Sequence, residues 1–254
     1  MITLKSSDEL TIMARAGSLL ATVVERLEDA VKEGVTTLEL DRLTEGWIRK
    51  GGAVPGFKGF QGYPCSICTS VNDQVVHAIP NNRRLRSGDI LSLDLGLIKD
   101  GFWADCGSSV IVGRASSQAR QLVQVTREAL DLGIAQAKVG NRLGDISAAI
   151  QEHVEGHGYS VVREMVGHGI GREMHEDPPV PNYGVRGSGP ELRSGMTLAI
   201  EPMVNLGRRE VRLKADGWTV VTADGSLSAY FEHTVAITEA GPWVLTARDS
   251  ELGR

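Results

Sequence analysis

Several features are scarce in this chain, and each scarcity excludes a class of protein. Three cysteines in 254 residues are too few, and odd in number, for a secreted scaffold held by disulfides. No apolar run approaches the roughly 18 residues that span a bilayer, and the first ten residues contain no signal-peptide core. Lys and Arg number 27 against 32 Asp and Glu, so no overall positive field attracts nucleic acid or anionic membrane. We therefore expect a cytoplasmic protein with neither nucleic acid nor membrane as a specific partner.

Helical and strand patterns alternate in blocks along the chain. Apolar residues recur at helical spacing after Ser6 and Glu9, which form a capping-box pattern, whereas the strand blocks are rich in Ile, Val and Thr. The predicted helices cover 6–34, 37–50, 117–138 and 145–157. The predicted strands form hairpins at 65–71 with 74–79 and at 90–98 with 102–112, and then cover 196–204, 210–214, 218–222 and 229–238. This order predicts an α+β protein.

A short internal repeat links the two halves of the chain. Residues 86–94 align with residues 193–201 at an offset of 107 positions, and the ninth position is acidic in both copies, Asp94 and Glu201. Each copy is a turn that leads into an apolar strand, and no linker or low-complexity stretch separates the halves. We expect a single domain over residues 1–254 with approximate internal two-fold symmetry.

Four acidic residues occupy strand-like apolar segments, namely Asp94, Asp105, Glu201 and Glu232. Burying an ionised carboxylate costs several kcal/mol unless a partner compensates it. One such residue could face water or pair with an arginine, but four of them, two related by the repeat, favour a shared site. Across the hairpin turn at residues 100–101, Asp94 and Asp105 are predicted to be close to opposite one another, where their mutual repulsion favours a cation.

An imidazole completes the predicted ligand set. His168 lies between glycines in residues 166–171, which let the backbone pass close to a site. Four carboxylates and one imidazole suit Mn, Fe, Co or Zn, and two divalent ions balance the four negative charges. Two ions about 3.5–4 Å apart lower the pKa of a bound water to near 7 and polarise an electrophile, which is the chemistry of hydrolysis.

These segments resemble, in order and spacing, the type I methionine aminopeptidases. The resemblance rests on Asp94, Asp105, His168 in residues 167–176, Glu201 in 200–204 and Glu232 in 231–234, and it extends to 62–80 and 216–219. It implies the pita-bread fold, a curved antiparallel sheet flanked by helices. It also implies that these five residues bind two metal ions, that Asp105 and Glu232 bridge them, and that Glu201 shuttles a proton.

The resemblance further implies the substrate and its contacts. His77 and His175 are expected to stabilise the tetrahedral intermediate and the scissile amide. The methionine side chain is expected in an apolar pocket that suits a thioether. The expected pocket residues are Phe60, Tyr63, Cys68 and Trp218, with Met174 at the rim. The implied substrates are nascent polypeptides with a small second residue, and we expect a monomer with at most transient ribosome contact.

Departures from the family pattern affect the pocket and the metal environment. Cys106 follows the second aspartate where Thr or Ser is common, Ala78 follows His77 in place of Gly, and Met174 occupies an aromatic position. A zinc or redox role for Cys65 and Cys68 is discounted, because a second cysteine pair is absent and positions three apart in a strand face opposite sides.

Three alternative functions fit the sequence less well. A proline-specific peptidase of the same fold normally carries a large extra N-terminal domain, whereas here two predicted helices precede the first hairpin. A binding protein that has lost catalysis would lack ligands, but all five positions are filled. A type II enzyme carries a helical insertion between its second histidine and third acidic ligand, whereas only residues 176–200 separate His175 from Glu201.

Overall fold

The computed structural model describes residues 1–248 and residue 251. Its helices are α1 (Ser7–Ala30), α2 (Thr37–Lys50), α3 (Ser117–Ala135) and α4 (Leu143–Gly156), with a 3₁₀ turn at Phe60–Gly62. Its strands are β1 (Val54–Pro55), β2 (Cys68–Val71), β3 (Gln74–Val76), β4 (Ile90–Lys99), β5 (Phe102–Ile111), β6 (Ser160–Val161), β7 (Gly167–Gly169), β8 (Glu176–Val180), β9 (Thr197–Ile200), β10 (Met203–Asn205), β11 (Val211–Leu213), β12 (Val220–Thr222), β13 (Ser228–Tyr230), β14 (Glu232–Thr238) and β15 (Gly241–Val244). None of the described helices combines the length and apolarity needed to cross a membrane.

The predicted helices are all present, and capping residues define where they begin. Ser6 and Glu9 form the predicted capping box of α1, and Thr36 and Glu39 form a second one at α2. Helix α1 ends four residues before the predicted stop, because Val31 is already extended and residues 32–35 turn toward the next helix. The other helix boundaries lie within three residues of those predicted.

A nine-stranded antiparallel sheet organises the molecule. Its order is β1-β4-β5-β14-β9-β7-β8, with β2 beside β4 and β15 beside β14. Helices α1 and α2 pack their apolar residues against the half that contains β4 and β5, and α3 and α4 pack against the half that contains β9 and β14. Buried apolar side chains fill the space between helices and sheet, so the opposite face of the sheet is available for polar groups.

Equivalent hydrogen bonds relate the two copies of the sequence repeat. The amide of Gly88 donates to the carbonyl of Val112 at 2.7 Å, and the amide of Gly195 donates to that of Ile237 at 2.9 Å. Both glycines have positive φ, 99° and 91°, which a side chain would strain. The repeat therefore marks the same turn at the start of β4 and of β9, one in each half of the sheet.

The strand predictions need three corrections. Strands β2 and β3 follow one another through Asn72-Asp73, but β2 pairs with β4 and β3 with β12, so they do not form the predicted hairpin ladder. The strands predicted at 196–204 and 229–238 each divide in two, at Glu201-Pro202 and at Phe231, because the chain passes there from the large sheet to a small one. Strands β1, β6, β7, β8 and β15 were not predicted; most are short, and β8 contains two prolines.

Candidate metal centre

The hairpin of β4 and β5 places two carboxylates on one face of the sheet. Asp94 pairs with Gly107, and Asp105 pairs with Gly96. Because strand side chains alternate in direction, residues two apart on one strand share a face. Asp94 and Asp105 are therefore diagonal neighbours rather than directly opposite ones, and each faces a glycine that leaves space above the sheet.

The same cross-strand row extends over neighbouring strands. Gly107 pairs on its other side with Glu232 of β14, and Asp94 pairs on its other side with Cys68 of β2. Cys68, Asp94, Gly107 and Glu232 thus occupy successive strands in one row. All four are buried, and the glycine between the two carboxylates removes a side chain that would otherwise separate them.

Strands β9 and β7 add the remaining two predicted ligands. Glu201 follows Ile200, which pairs with His233, so it lies beside Glu232. His168 pairs with Ala199, two residues before Glu201 and on the same face. A Cβ on Gly167 would lie 2.3 Å from the Ala199 carbonyl oxygen, so this glycine permits the close approach of β7.

The five predicted ligands therefore converge, and their donor set suits a divalent cation. Donor atoms of Asp105, His168 and Glu232 all lie within 4.8 Å of one another. The Oε1 atom of Glu232 is buried and has no hydrogen-bond partner, which is costly for a carboxylate unless a cation binds it. The amide of Asp105 donates to the Thr234 hydroxyl at 3.0 Å, and this hydroxyl donates to the Asp105 carbonyl at 2.8 Å, which holds β5 at the ligand.

Burial dominates the electrostatics of the carboxylates. It raises the pKa of Asp105 to about 7, and together with the neighbouring carboxyl groups it raises the pKa of Asp94, Glu201 and Glu232 well above the usual range. Without a cation the centre therefore favours protonated carboxyl groups. A divalent ion would reverse this preference, because it stabilises the ionised form of each ligand.

Three histidines surround the carboxylates. The Nδ1 atom of His168 donates to the Gly169 carbonyl at 2.9 Å, which leaves Nε2 directed at the centre, 3.7 Å from Oε1 of Glu201. The His175 ring centroid lies 4.4 Å from that of His168. Burial lowers the pKa of His77 and of His168 to about 4 and also lowers the pKa of His175, so these rings favour the neutral form.

An apolar pocket of about 120 Å³ opens beside the centre. A comparable engineered cavity of about 150 Å³ holds one benzene molecule, so this pocket suits a single side chain. Asp94 and the His77 and His175 rings form its polar side. The pocket contains all five residues expected to contact methionine, and its remaining walls are Phe60, Tyr63, Cys68, Met174 and Trp218 with Phe57 and Gln61.

The pocket and its surroundings contain residues that sequence reasoning missed or misjudged. Gln61 has a φ of 48° within the 3₁₀ turn at the pocket wall, and no motif indicated it. The hydroxyl of Tyr230 donates to Glu232 at 2.6 Å; its position two residues before a predicted ligand, in an apolar strand, was the available signal. Cys65 lies before β2 rather than within it, so the alternation of side chains along a strand does not determine the direction of its side chain. Both Cys65 and Cys68 are free thiols, and neither belongs to the group of potential metal ligands.

Comparisons with known proteins identify the family. The model of metallopeptidase family M24 matches residues 11–239. The chain belongs to metallopeptidase family M24. As an M24 protein it is a metal-dependent hydrolase. Membership of this family implies a divalent metal cofactor, and Asp105, His168 and Glu232 form a group that could hold a metal ion.

Within family M24, the chain is similar to methionine aminopeptidases over nearly its whole length. The methionine aminopeptidase of Clostridium perfringens is 52% identical over 246 residues, which cover 97% of this chain and 99% of that protein. The solved methionine aminopeptidases of Rickettsia prowazekii and Thermotoga maritima are 42% and 45% identical, each with a TM-score of 0.96; they cover 97% and 98% of this chain and are themselves covered completely. The predictions of a methionine aminopeptidase and of the α+β pita-bread fold are confirmed.

A more distant likeness concerns the fold alone. The prolidase of Pyrococcus horikoshii is 21% identical, with a TM-score of 0.78, and the match covers 96% of this chain and 63% of the prolidase. The M24 fold is thus shared with prolidases, whereas the higher identities are to methionine aminopeptidases.

Proposed function

We propose that this protein hydrolyses the bond after an N-terminal methionine in nascent polypeptides whose second residue is small. The observation that carries this proposal is the contact between two parts of the site. The cluster of buried carboxylates and His168 adjoins an apolar pocket of single-residue size, with Asp94 and His175 lining it. A methionine side chain in that pocket would place its own carbonyl beside the metal centre.

Two divalent ions, Co, Mn, Fe or Zn, are the proposed cofactors. Four carboxylates carry four negative charges when ionised, and two divalent ions neutralise them in a buried site where uncompensated charge is costly. When bound, such ions supply a nucleophilic water near neutral pH and polarise the carbonyl. The residues that would hold these ions are Asp94, Asp105, His168, Glu201 and Glu232.

The chain's own groups perform the remaining work. Glu201, half-buried at the end of β9, is proposed to accept the proton of the attacking water and to deliver it to the leaving amine. His77 and His175, which are neutral because burial lowers the pKa of each ring, can donate one N–H toward the developing oxyanion or the scissile amide. Crowding beside His77 would restrict the second residue to small side chains.

The setting of the reaction is also a proposal. We propose a single catalytic domain over 1–254, a cytoplasmic location, a monomeric state and at most transient contact with the ribosome. Three free thiols are consistent with a reducing compartment. The formal charge of −5 offers no general attraction to RNA, so any ribosome contact would depend on a local surface.

Peptide specificity tests the proposal. Metal-depleted protein is supplied in turn with Mn, Co, Fe or Zn and assayed on Met-Ala-Ser, Met-Leu-Ser and Leu-Ala-Ser, with free amino acids quantified. We expect methionine from Met-Ala-Ser, little from Met-Leu-Ser, and little leucine from Leu-Ala-Ser. Equal cleavage of all three peptides would contradict the pocket and the second-residue restriction, and cleavage of none with every metal would contradict the reaction.

A further inference from the structure

The phenol of Tyr230 contacts Glu232, one of the proposed metal ligands. Its hydroxyl donates to Oε2 of Glu232 at 2.6 Å, and Tyr230 and Glu232 are 2% and 1% exposed. Gly107 separates Glu232 from Asp94 in the same cross-strand row. One buried phenol therefore holds one of the proposed ligands, Glu232, next to the glycine that separates it from Asp94.

The Tyr230 ring has little freedom to move. A Cβ on Gly107 would lie 2.1 Å from the Cε1 atom of Tyr230, so the ring rests directly on the glycine between the two carboxylates. The Tyr230 backbone is held as well. Its amide donates to the Ser109 hydroxyl at 2.9 Å, and that hydroxyl donates to the Tyr230 carbonyl at 3.0 Å. Ser92, whose hydroxyl lies 2.8 Å from that of Ser109, completes this arrangement.

The two oxygens of Glu232 have different surroundings. Oε2 accepts the Tyr230 hydrogen bond, whereas Oε1 is buried without a partner. The compact donor cluster comprises Glu232 with Asp105 and His168 and does not include Asp94. The centre thus has two ends, one with His168 and one with Asp94, and Tyr230 lies at the Asp94 end.

We propose that Tyr230 is a positioning residue that fixes Glu232 for the ion at the Asp94 end of the centre. This inference rests on the proposed function, since it assumes two bound ions. A carboxylate that is held by a hydrogen bond needs less ordering when it binds a metal, and such outer partners orient metal ligands. The ion at the His168 end gains less from Tyr230, because the Asp105 carboxylate accepts a hydrogen bond from the Cys106 amide and the His168 ring donates to the Gly169 carbonyl.

The test is calorimetric titration of Mn²⁺ into metal-depleted protein, comparing wild type, Tyr230→Phe and Tyr159→Phe. Tyr159→Phe is the matched control, because it removes a hydroxyl from the segment between α4 and β6, on the helix-covered side of the chain. For wild type and control we expect two binding events. For Tyr230→Phe we expect one event to weaken by about 10–100-fold, whereas the other weakens less because Asp105 and His168 keep their own contacts. Manganese content after gel filtration should then fall from two ions toward one.

Three outcomes distinguish a failure of the Tyr230 positioning role from a failure of the two-ion centre. Unchanged affinities in Tyr230→Phe, or an equal weakening of both events, would overturn the positioning role. A single event in wild type would overturn the two-ion centre itself, which is a failure of the proposed function rather than of Tyr230 alone. Thermal melting of the metal-free variants checks that they are folded. If Tyr230→Phe is unfolded, Ser109→Ala replaces it, since it loosens the Tyr230 backbone, and unchanged affinities there overturn the inference.

Discussion

The Nε2 atom of His168 lies 3.7 Å from the Oε1 atom of Glu201, although the two residues come from different strands. His168 is in β7, and Glu201 directly follows β9, where the chain leaves the large sheet. The ring is fixed by the Gly169 carbonyl, and Asn182 donates to the Glu201 carbonyl at 3.0 Å. These contacts direct the His168 ring and the Glu201 carboxylate toward the same space. A metal ion bound by both side chains, with Glu201 also accepting a proton, requires this arrangement.

Replacing Glu201 by glutamine should separate metal binding from proton transfer. Glutamine keeps the size and one ligand oxygen but cannot take up a proton. We expect kcat for Met-Ala-Ser to fall by about 10²–10⁴-fold, the usual contribution of a general acid–base group. Metal content is measured on the same samples. Glu210→Gln, an exposed residue paired with Arg209, is the control, and a Glu201→Gln enzyme with normal kcat would exclude the proposed proton shuttle.

Adding a methyl group at Gly107 should damage the centre, whereas adding one at Gly46 should not. At Gly107 the new Cβ would lie 2.1 Å from the Tyr230 ring and 2.9 Å from the Leu93 carbonyl oxygen. We expect Gly107→Ala to lower the free energy of unfolding by about 1–3 kcal/mol, as overpacking does. Gly46 lies in α2 with open space around it, so Gly46→Ala should raise that free energy by about 0.5–1 kcal/mol. Urea denaturation of the metal-free proteins measures both, and equal stabilities would contradict the close contact.

Removing the Tyr63 hydroxyl should slow turnover more than it weakens substrate binding. This hydroxyl contacts the carbonyls of Ile67 and Ala78 at 3.0 and 3.2 Å, and Ala78 follows His77, whose φ of 59° is unusual for a residue with a side chain. Tyr63→Phe keeps the ring in the pocket. We expect a lower kcat, a nearly unchanged KM and a loss of about 1 kcal/mol in stability. Tyr183→Phe is the control, and a rise in KM alone would assign Tyr63 to the pocket only.

The metal-free protein should lose stability as pH rises, and bound metal should remove that loss. Burial raises the pKa of Asp105 to about 7 and the pKa of Asp94, Glu201 and Glu232 well above the usual range. The folded state then binds more protons than the unfolded state between the ordinary carboxyl range and these raised values, so the free energy of unfolding falls as pH increases through that window. A metal ion binds the ionised groups and displaces their protons, so its affinity should rise with pH.

Melting temperatures with and without Mn²⁺ test this pH dependence. The difference between the two forms should be larger at about pH 7.5 than at about pH 5.5, because more protons must be displaced at the lower pH. Calorimetry in buffers of different ionisation enthalpy counts the protons released on binding. A metal-induced shift that is the same at both pH values, with no proton release, would contradict the protonated state of the metal-free centre.

Much of the site could be predicted because strand geometry makes a charge in an apolar segment conspicuous. Asp94 and Asp105 flank an Asp-Gly turn, so the sequence determines which face they share. The repeat identified Glu201 as the counterpart of Asp94, and the equivalent hydrogen bonds at Gly88 and Gly195 explain why the repeat persists. These signals are local or periodic, and such signals can be read from one chain.

Other features depend on contacts between distant segments and could not be predicted. The strand breaks beside Glu201 and Glu232 are one such feature. The chain passes there from one sheet to another within a long apolar segment, and a continuous hydrophobic pattern does not mark that transition. His168 occupies a three-residue strand that its glycines gave no reason to expect. Tyr230 has the pattern of an ordinary core residue, and its contact with Glu232 follows only from the side chain's position above Gly107.

Dependence of methionine release on bound metal tests the central claim most directly. Metal-depleted wild type and Glu201→Ala are titrated with Mn²⁺, and both bound manganese and methionine released from Met-Ala-Ser are measured at each step. The account predicts no release without metal, release that increases as ions bind to wild type, and almost none from Glu201→Ala. Wild-type protein that binds two ions and still releases no methionine would contradict it.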